Sequence, residues 1–582
     1  MSLFDRPIRC VLFALASLLG GTAYAGSLRD YNHIVVIYQE NHSFDNLWGL
    51  WGAVEGEPVN GLPQADAAHK LQIGADGKPF GCLYQNDVNL KDVKPADGAA
   101  CSFANAPFDI EAYIKPQDAT CPNPYGETFT KQGKREGYAK GQGDPGGCTR
   151  DLTHSFYNEQ YQINAGGQNR YVTGSDAAGL VMGYYETQQS PLYRYLHEAG
   201  APRYVIADNF FHASFGSSFL NHIWLIAART PVFENPPSLG PDKDLHSSID
   251  ANGLASKPPK EVYEASNTPM RDRPLTAYCA GDPRMPPDRA PAPAGFVCGD
   301  FAIGTLSPQN WPWRPDDPNN TPRLPPLHYE TIGDRLNDKG VDWAWYAGGW
   351  DNVEGKRDGR GWTNGSTDHC AVAQAAQPHT NEVTVDGVLR CPDKSFQYHH
   401  QPFDYFEKYG PGTDGRKAHL RDEEDFLDAA QNGSLPAVSF VKPLGEENEH
   451  PGYASEENGD GHLVKLVKAV VEGKNDADTL VIITYDEHGG SWDHVPPPPY
   501  GQNAKGAHDQ WGPGTRVPAM LISKKLAHSG VDHVAHDTTA ITRLIEERFC
   551  LAPLGDRDKS VGSLKSALGD RSAEKCEPSK TN

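Results

Sequence analysis

Several features that mark common protein classes are scarce or missing in this 582-residue chain. No apolar run beyond the amino terminus is long enough to cross a bilayer, so we expect no stable membrane insertion. Basic residues are in deficit, with 53 Lys and Arg against 76 Asp and Glu, and the net charge of −23 argues against nucleic acid as a specific partner. No cysteine pair has the C-x-x-C spacing of structural zinc sites, and we find no internal repeat.

The amino terminus has the pattern of a secretory signal peptide. Arg6 and Arg9 precede an apolar segment at Val11–Leu19, and Ala23-Tyr24-Ala25 matches the A-x-A cleavage motif. The apolar segment is too short for a transmembrane anchor. We therefore expect residues 1–25 to be removed by cleavage near Ala25, and the mature protein to be secreted or periplasmic.

The cysteines fit an oxidising compartment. The chain has 11 cysteines, of which Cys10 lies in the expected signal peptide. An even number remains, which predicts disulfide bonds whose pairing the sequence does not determine. These cysteines are Cys82, Cys101, Cys121, Cys148, Cys279, Cys298, Cys370, Cys391, Cys550 and Cys576.

Short runs of branched apolar residues predict buried strands separated by helices. The predicted strands are Ile34–Tyr38, Tyr204–Ala207, Val341–Tyr346, Ala437–Val441, Leu480–Tyr485 and Val517–Ile522. Amphipathic stretches at Leu463–Val471 and Thr538–Phe549 predict helices. Continuous apolar strands alternating with helices favour an α/β fold with a largely parallel sheet that is covered on both faces.

Three segments interrupt this alternation, near residues 52–150, 231–326 and 351–395. The first two are rich in turn-forming residues such as proline, and together they carry several of the cysteines. We interpret all three as loop-rich, disulfide-bearing insertions in one catalytic domain that covers residues 26–582. Linkers between independent domains are the alternative interpretation.

Polar ligand-type residues follow two of the predicted strands. Glu40-Asn41 comes after the first strand, and Asp486-Glu487 comes after Leu480–Tyr485. Ligands of α/β proteins bind beyond the carboxyl ends of strands, and carboxylate and amide oxygens are ligands of hard divalent ions. The first pair taken alone is more simply a helix cap, but two acidic strand ends in one chain favour a shared metal site.

A serine turn lies between these two segments in the sequence. Gly216-Ser217-Ser218 precedes an apolar helix at Phe219–Ala228. A serine at a helix amino terminus lies where backbone N–H groups stabilise an anion, a placement that also helps a serine alkoxide next to a metal ion. An ordinary helix-capping serine is the alternative.

Four histidines lie in polar, loop-like contexts, and any of them could bind phosphate oxygens or protonate a leaving group. For each one alone, a structural role is the more common outcome. They are His154, His399, His400 and His450.

Three motifs together resemble the bacterial phosphoesterase family, which unites secreted phospholipases C with acid phosphatases. They are E-N-x-S-F-D at 40–45, D-E-H-G-G-x-x-D-H-V-P-P at 486–497 and the Gly-Ser turn between them. The resemblance covers roughly Tyr31 to Leu568. It implies an alkaline-phosphatase-like three-layer sandwich with a mostly parallel central sheet.

The resemblance also implies one divalent metal ion and a serine nucleophile, Ser218, that forms a phosphoseryl intermediate. The implied metal ligands are Glu40, Asn41, Ser218, Asp486 and Glu487. The implied phosphate-binding residues are His154, His399, His400 and His450, with Asp45 and Asp493 orienting the ligands. An oxygen-rich ligand set favours calcium or magnesium, and manganese, iron and zinc remain open.

The serine turn distinguishes two branches of this family. Phospholipase-type members show G-P-T-x-P-N-R at the nucleophile, whereas residues 216–222 read G-S-S-F-L-N-H. We therefore expect a secreted acid phosphatase acting on phosphomonoesters, with Ser218 or, one position earlier, Ser217 as the nucleophile. Protonated histidines in the site predict a mildly acidic optimum.

Other activities remain as alternatives. The first is a phospholipase C or phosphodiesterase acting on phosphatidylcholine-like diesters, and a second, outside the enzymes, is a phosphate-binding pseudoenzyme. A sulfatase is disfavoured because the chain has no C-x-P-x-R motif. The natural substrate and the oligomeric state are not determined by the sequence.

Overall fold

The computed structural model describes residues 27–570, except for most of 84–102, 113–150, 232–325, 357–395 and 500–508 and a few single positions. The expected signal peptide and most of the three expected insertions therefore lie outside the described residues. Cys82 and Cys550 are in disulfide bonds. The side chains of the other cysteines lie outside the described residues, so the pairing stays a prediction.

The described residues contain one large sheet of eight strands. In chain order the strands are β1 (His33–Gln39), β2 (Arg203–Ala207), β3 (Trp343–Ala347), β4 (Leu420–Asp422), β5 (Val438–Lys442), β6 (Thr479–Tyr485), β7 (Ala519–Ser523) and β8 (Gly530–Asp532). Their order across the sheet is β4-β3-β5-β1-β6-β7-β2-β8. Neighbouring strands run parallel except that β7 is antiparallel to both β6 and β2. The mostly parallel sheet predicted from the sequence is thus confirmed.

The central strands are buried along almost their whole length. All residues of β3, β5, β6 and β7 are buried, and β1 is buried except at His33. Successive side chains of a strand point to opposite faces of the sheet, so burial of every residue means that both faces are covered. The arrangement is therefore the helix–sheet–helix layering expected from the sequence.

Twelve α-helices surround the sheet in the described part of the chain. They are α1 (Phe44–Leu47), α2 (Ala67–Lys70), α3 (Phe156–Ile163), α4 (Pro191–Leu196), α5 (Ser218–Ala227), α6 (Ile332–Asp338), α7 (Trp350–Glu354), α8 (Asp414–His419), α9 (Glu423–Asn432), α10 (Glu456–Val471), α11 (Thr539–Phe549) and α12 (Asp556–Ser560). None of them is both long enough and apolar enough to cross a membrane.

Both predicted helices are present, and one is longer than expected. The stretch Leu463–Val471 is only the second half of α10, which begins at Glu456. The side chain of Ser455 caps this helix by accepting a hydrogen bond from the backbone N–H of Asn458. The polar first half was not expected because it lacks the apolar periodicity by which helices are recognised.

The parallel arrangement brings the carboxyl ends of β1, β5 and β6 to one edge of the sheet. Residue pairing is in register over the full length of β1 and β6, from His33 opposite Thr479 to Gln39 opposite Tyr485. The residues that follow these two strands are therefore neighbours, although 445 positions separate Asn41 from Asp486 along the chain.

Candidate active site

Five oxygen-bearing side chains meet at the carboxyl edge of the sheet. Glu40 and Asn41 follow β1, Asp486 and Glu487 follow β6, and Ser218 is the first residue of α5. All five are buried. The backbone N–H of Asn41 donates to Asp486 Oδ1 at 3.1 Å, and the Ser218 hydroxyl donates to Glu40 Oε2 at 3.4 Å. The structure thus brings together all five residues that the sequence suggested as metal ligands.

The close approach of the two loops depends on unusual backbone conformations. Asn41 has φ 62° and Gly489 has φ 59°, both in the left-handed region. A Cβ atom on Gly489 would lie 2.1 Å from the carbonyl oxygen of Asn41. Only glycine fits here, which explains the Gly-Gly pair that follows Asp486-Glu487.

A buried glutamate fixes the backbone of the serine turn. The backbone N–H of Gly216, which has φ 88°, donates to Glu159 Oε2 at 2.7 Å. Glu159 Oε1 lies 2.6 Å from His212 Nε2 and accepts from the backbone N–H of Thr515 at 2.7 Å. These contacts fix the turn so that Ser218 lies at the amino terminus of a ten-residue helix, where the helix dipole favours an anion.

Burial and neighbouring charges shift the pKa values of the acidic groups in the site. Burial, reinforced by the charge of Glu40, raises the pKa of Asp486 to about 7, and burial together with Asp486 raises the pKa of Glu487 well above its usual range. Burial also acts on Glu40, but the positive charge of Lys442 and contact with His400 outweigh it and hold the Glu40 pKa well below its usual range. Acidic side chains this close repel one another unless a cation neutralises them.

Apart from Glu40, whose Oε1 contacts Lys442 and His400, the candidate ligands have three oxygen atoms without a hydrogen-bond donor among the described residues. They are Asn41 Oδ1, Asp486 Oδ2 and Glu487 Oε1, and all three are buried. Buried oxygen atoms normally accept hydrogen bonds, so a group of three that do not is a departure that requires an explanation. A divalent ion bound by oxygen ligands satisfies these atoms and offsets the repulsion, so the residues present fit such an ion.

Three of the four histidines suggested by the sequence contact these ligands directly. His400 Nε2 lies 2.6 Å from Glu40 Oε1, and His154 Nε2 lies 3.5 Å from Glu487 Oε1. His450 Nε2 lies 3.0 Å from Asn41 Nδ2. The fourth, His399, packs edge-on against His400 with ring centroids 4.7 Å apart. All four are buried.

Burial disfavours the protonated form of three of these imidazoles, against the expectation of protonated histidines in the site. It lowers the pKa of His400 to about 4, against the opposing effect of Glu40, and lowers the pKa of His450. The pKa of His399 falls well below its usual range because of burial and the neighbouring His400. A neutral imidazole has one N–H that donates a hydrogen bond and one nitrogen that accepts one, whereas a protonated ring donates from both nitrogens.

Two residues of the site were not among the sequence candidates. Lys442, at the end of β5, places Nζ 2.5 Å from Glu40 Oε1 and is fully buried. His222, one turn into α5, has Nδ1 2.7 Å from the backbone carbonyl of Ser218. Lys442 carries the same signal as Glu40, because it is a charged residue directly after a predicted buried strand, Ala437–Val441. His222 lies inside an apolar helix and has no comparable signal.

Asp45 and Asp493 lie in a neighbouring ion-pair network. Asp45 contacts Arg516 Nη2 at 3.0 Å and His494 Nδ1 at 2.6 Å, and Asp493 contacts Arg516 Nε at 3.0 Å. The backbone N–H of Asp45 also donates to Asp493 Oδ2 at 2.9 Å. The network ties the loop after β1 to the loop after β6.

Comparison with known proteins places the chain in a family. The phosphoesterase family profile matches residues 31–552. Phospholipase C B of Mycobacterium tuberculosis is 31% identical over 168 residues, which are 25% of this chain and 31% of that protein. Non-specific phospholipase C6 of Arabidopsis thaliana is 32% identical over 117 residues, 17% of this chain and 22% of that protein. The matched segments thus span less than a third of each of these curated relatives.

Among solved structures, a protein of the alkaline phosphatase superfamily from Vibrio parahaemolyticus is similar over 65% of this chain and 64% of its own length. Its sequence identity is 9% and its TM-score is 0.27. The family assignment therefore rests on the profile match, which extends from before β1 to beyond α11. The chain belongs to the phosphoesterase family.

Proposed function

We propose that this protein hydrolyses phosphate monoesters with the help of a divalent metal ion, using Ser218 as the nucleophile. The observation that carries the proposal is the position of Ser218 Oγ, at the start of α5 and 3.4 Å from Glu40 Oε2. Family membership and relatives named phospholipase C support the reaction class, cleavage of phosphate esters. The donor set supports the metal.

Glu40, Asn41, Asp486, Glu487 and Ser218 would hold the ion. A divalent ion at these oxygens supplies a Lewis acid, which favours the ionised serine hydroxyl and offsets the negative charge of the phosphate. The ligands are all oxygens, which favours a hard cation.

The residues of the chain then carry the individual steps. Ser218 Oγ attacks phosphorus in line with the leaving group, and its position at the amino terminus of α5 stabilises the ionised oxygen. The negative charge of a bound phosphate favours protonated imidazoles, which can donate from both ring nitrogens. His154, His400 and His450 then donate hydrogen bonds to the phosphate oxygens as charge develops on them. His399 or His400, protonated in the same way, gives its proton to the leaving oxygen, and water then hydrolyses the phosphoseryl enzyme.

Cleavage of a diester is the second candidate function. The curated relatives reported above are named phospholipase C, which favours a phosphatidylcholine-like substrate. The turn at 216–222 lacks the proline and arginine of the phospholipase-type motif, which favours the monoester. Parallel assays of an aryl phosphate, an aryl phosphodiester and phosphatidylcholine vesicles separate the two. Faster turnover of either diester would replace the monoester proposal.

The nucleophile is tested by substituting each serine of the turn. Ser218→Ala is expected to reduce hydrolysis of 4-nitrophenyl phosphate by a factor of about 1,000 or more, because the substitution removes the oxygen that forms the covalent intermediate. Ser217→Ala, one position away at the helix cap, is the matched control and is expected to retain most of the activity. The reverse ranking would assign the reaction to Ser217.

We propose in addition that the protein is exported. The pattern of Arg6, Arg9, Val11–Leu19 and Ala23–Ala25 supports this, as does the even number of cysteines that follow. Amino-terminal sequencing of protein recovered outside the cytoplasm is expected to begin at Gly26. An intact Met1 in the recovered protein would contradict export by this signal.

A further inference from the structure

Three buried side chains of metal-binding type meet on one side of Glu40. Glu40, His222 and His400 each offer a ligand atom, and these atoms lie within 4.8 Å of one another. The two imidazole rings are nearly parallel, with centroids 5.4 Å apart. One carboxylate and two imidazoles form a donor set that zinc or manganese accepts. On side-chain types alone, this cluster would hold a second divalent ion beside the one proposed above.

Lys442 is paired with the Glu40 oxygen that His400 approaches, an oxygen that such an ion would share. Its Nζ is 2.5 Å from Glu40 Oε1, the same oxygen that His400 Nε2 approaches at 2.6 Å. The ammonium also donates to the backbone carbonyl of Gln39 at 3.2 Å and lies 5.1 Å from the centroid of the Tyr38 ring. An ammonium group and a divalent ion cannot share one oxygen at contact distance, because like charges repel strongly in buried surroundings.

The two oxygen atoms of the Glu40 carboxylate therefore have different surroundings. Oε1 is in contact with Lys442 and His400, whereas Oε2 faces the hydroxyl of Ser218. A buried carboxylate stays ionised when one of its oxygens is paired with a fixed cation, because the cation compensates its negative charge. The second oxygen stays available on the side of the serine, Asn41 and Asp486.

We propose that the Lys442 ammonium takes the place of a second divalent ion, so that the site binds one metal ion and uses Lys442 as its other positive charge toward the substrate phosphate. This inference rests on the proposed function. A lysine cation cannot be removed by a chelator, and its N–H groups can donate to a phosphate oxygen. It therefore makes one of the site's two cationic groups independent of metal supply.

The first test counts metal ions. Wild type, Lys442→Met and Lys442→Arg are equilibrated by dialysis with Mn²⁺ or Zn²⁺, and the bound ions per chain are measured by elemental analysis. Methionine has a similar length without the charge, and arginine keeps the charge. We expect one ion per chain in wild type and in Lys442→Arg, and two in Lys442→Met. Two ions in wild type, or one ion in Lys442→Met, would overturn the proposal.

The second test measures the affinity for inorganic phosphate by calorimetry, with one equivalent of metal per chain. Loss of a charged hydrogen-bond donor is expected to weaken binding by about tenfold or more in Lys442→Met. Lys442→Arg is expected to stay within a few-fold of wild type. Equal phosphate affinity in wild type and Lys442→Met would show that the ammonium does not act on the phosphate.

Further controls keep the result interpretable. Circular dichroism and thermal unfolding show whether Lys442→Met is folded. If this variant does not fold, the ion count of the wild type still tests the proposal. Two bound ions per chain would refute it, and one would support it. The proposed function can fail separately. Full turnover by Ser218→Ala would refute the serine mechanism, whereas active wild type with two ions per chain would refute only the role of Lys442.

Discussion

At the residue scale, Gly489 controls the distance between the two loops that carry the candidate ligands. Its Cβ position lies 2.1 Å from the Asn41 carbonyl oxygen, a backbone atom that cannot turn away. Any side chain here forces the loop after β1 away from the loop after β6. The separation of Asn41 from Asp486 and Glu487 therefore depends on a residue that contributes no ligand.

Gly489→Ala is expected to destabilise the protein by about 3 kcal/mol or more, because it combines backbone strain with a steric clash. Gly340→Ala is the matched control, since Gly340 has a similar φ of 64° but no atom within 4 Å of its Cβ position. Strain alone at that position costs about 1 kcal/mol. Urea unfolding of both variants measures the difference. Equal losses would mean that the loops adapt without cost.

The sequence predicted the acidic ligands because each pair directly follows a strongly apolar strand. Glu40 and Asp486 each stand at the end of a run of buried residues, and the histidines were noticed from their polar surroundings. Glu159 was not recognised as an anchor of the serine turn. Its partners Gly216 and Thr515 lie 57 and 356 positions away, and no local pattern records such contacts.

At the element scale, the six long strands were predictable and the two edge strands were not. Residues of β1 and β6 are buried on both faces, which requires a continuous apolar run. β4 and β8 have three residues each and lie at the two edges of the sheet. Edge strands need little apolar surface, so β4 (Leu-Arg-Asp) and β8 (Gly-Val-Asp) look like loops in the sequence.

Helix α9 begins at a buried aspartate whose protonation depends on folding. Asp422 accepts hydrogen bonds from the backbone N–H groups of Glu424 at 3.1 Å and Asp351 at 2.9 Å. Burial raises its pKa to about 7, despite these hydrogen bonds. An unfolded aspartate has a pKa near ~3.9, so the folded state binds the proton more tightly. This contribution to stability is complete below about pH 4 and is lost as the pH rises to 7.

Asp422→Asn is expected to remove this pH dependence while keeping a side chain that caps the helix. The Tm of the variant should match wild type near pH 4 and exceed it by roughly 2–6 °C above pH 7. Asp414→Asn, an exposed aspartate at the start of α8, serves as the control and should change neither value. Thermal unfolding from pH 4 to pH 8 measures this. A constant difference across the range would contradict the assignment.

At the scale of the whole molecule, the proposed metal ion would join loops from opposite ends of the chain. Its candidate ligands come from residues 40–41, 218 and 486–487. A ligand that binds only the folded state stabilises it by an amount that grows with its concentration, about 2.7 kcal/mol at one hundred times the Kd. Release of the ion also restores the repulsion among buried carboxylates.

Chelation is therefore expected to lower the Tm by several degrees and to abolish phosphatase activity, with both restored when the ion is added back. Thermal unfolding and an aryl phosphate assay, before and after treatment with a chelator, measure these effects. The same chelator saturated beforehand with the ion that restores activity is the control for non-specific effects of the reagent. Superimposable unfolding curves with and without the chelator would contradict a metal that bridges the loops.

The first strand of the chain lies in the middle of the sheet. β1 pairs on one side with residues 438–441 and on the other with residues 479–485. During synthesis, this apolar segment is made long before either of the strands with which it pairs. It therefore stays unpaired while most of the polypeptide is synthesised. Closing such long loops is slow compared with local pairing. A chain that stops before residue 479 lacks both β6 and its acidic pair, so the proposed hydrolytic activity requires nearly the whole polypeptide to have been made.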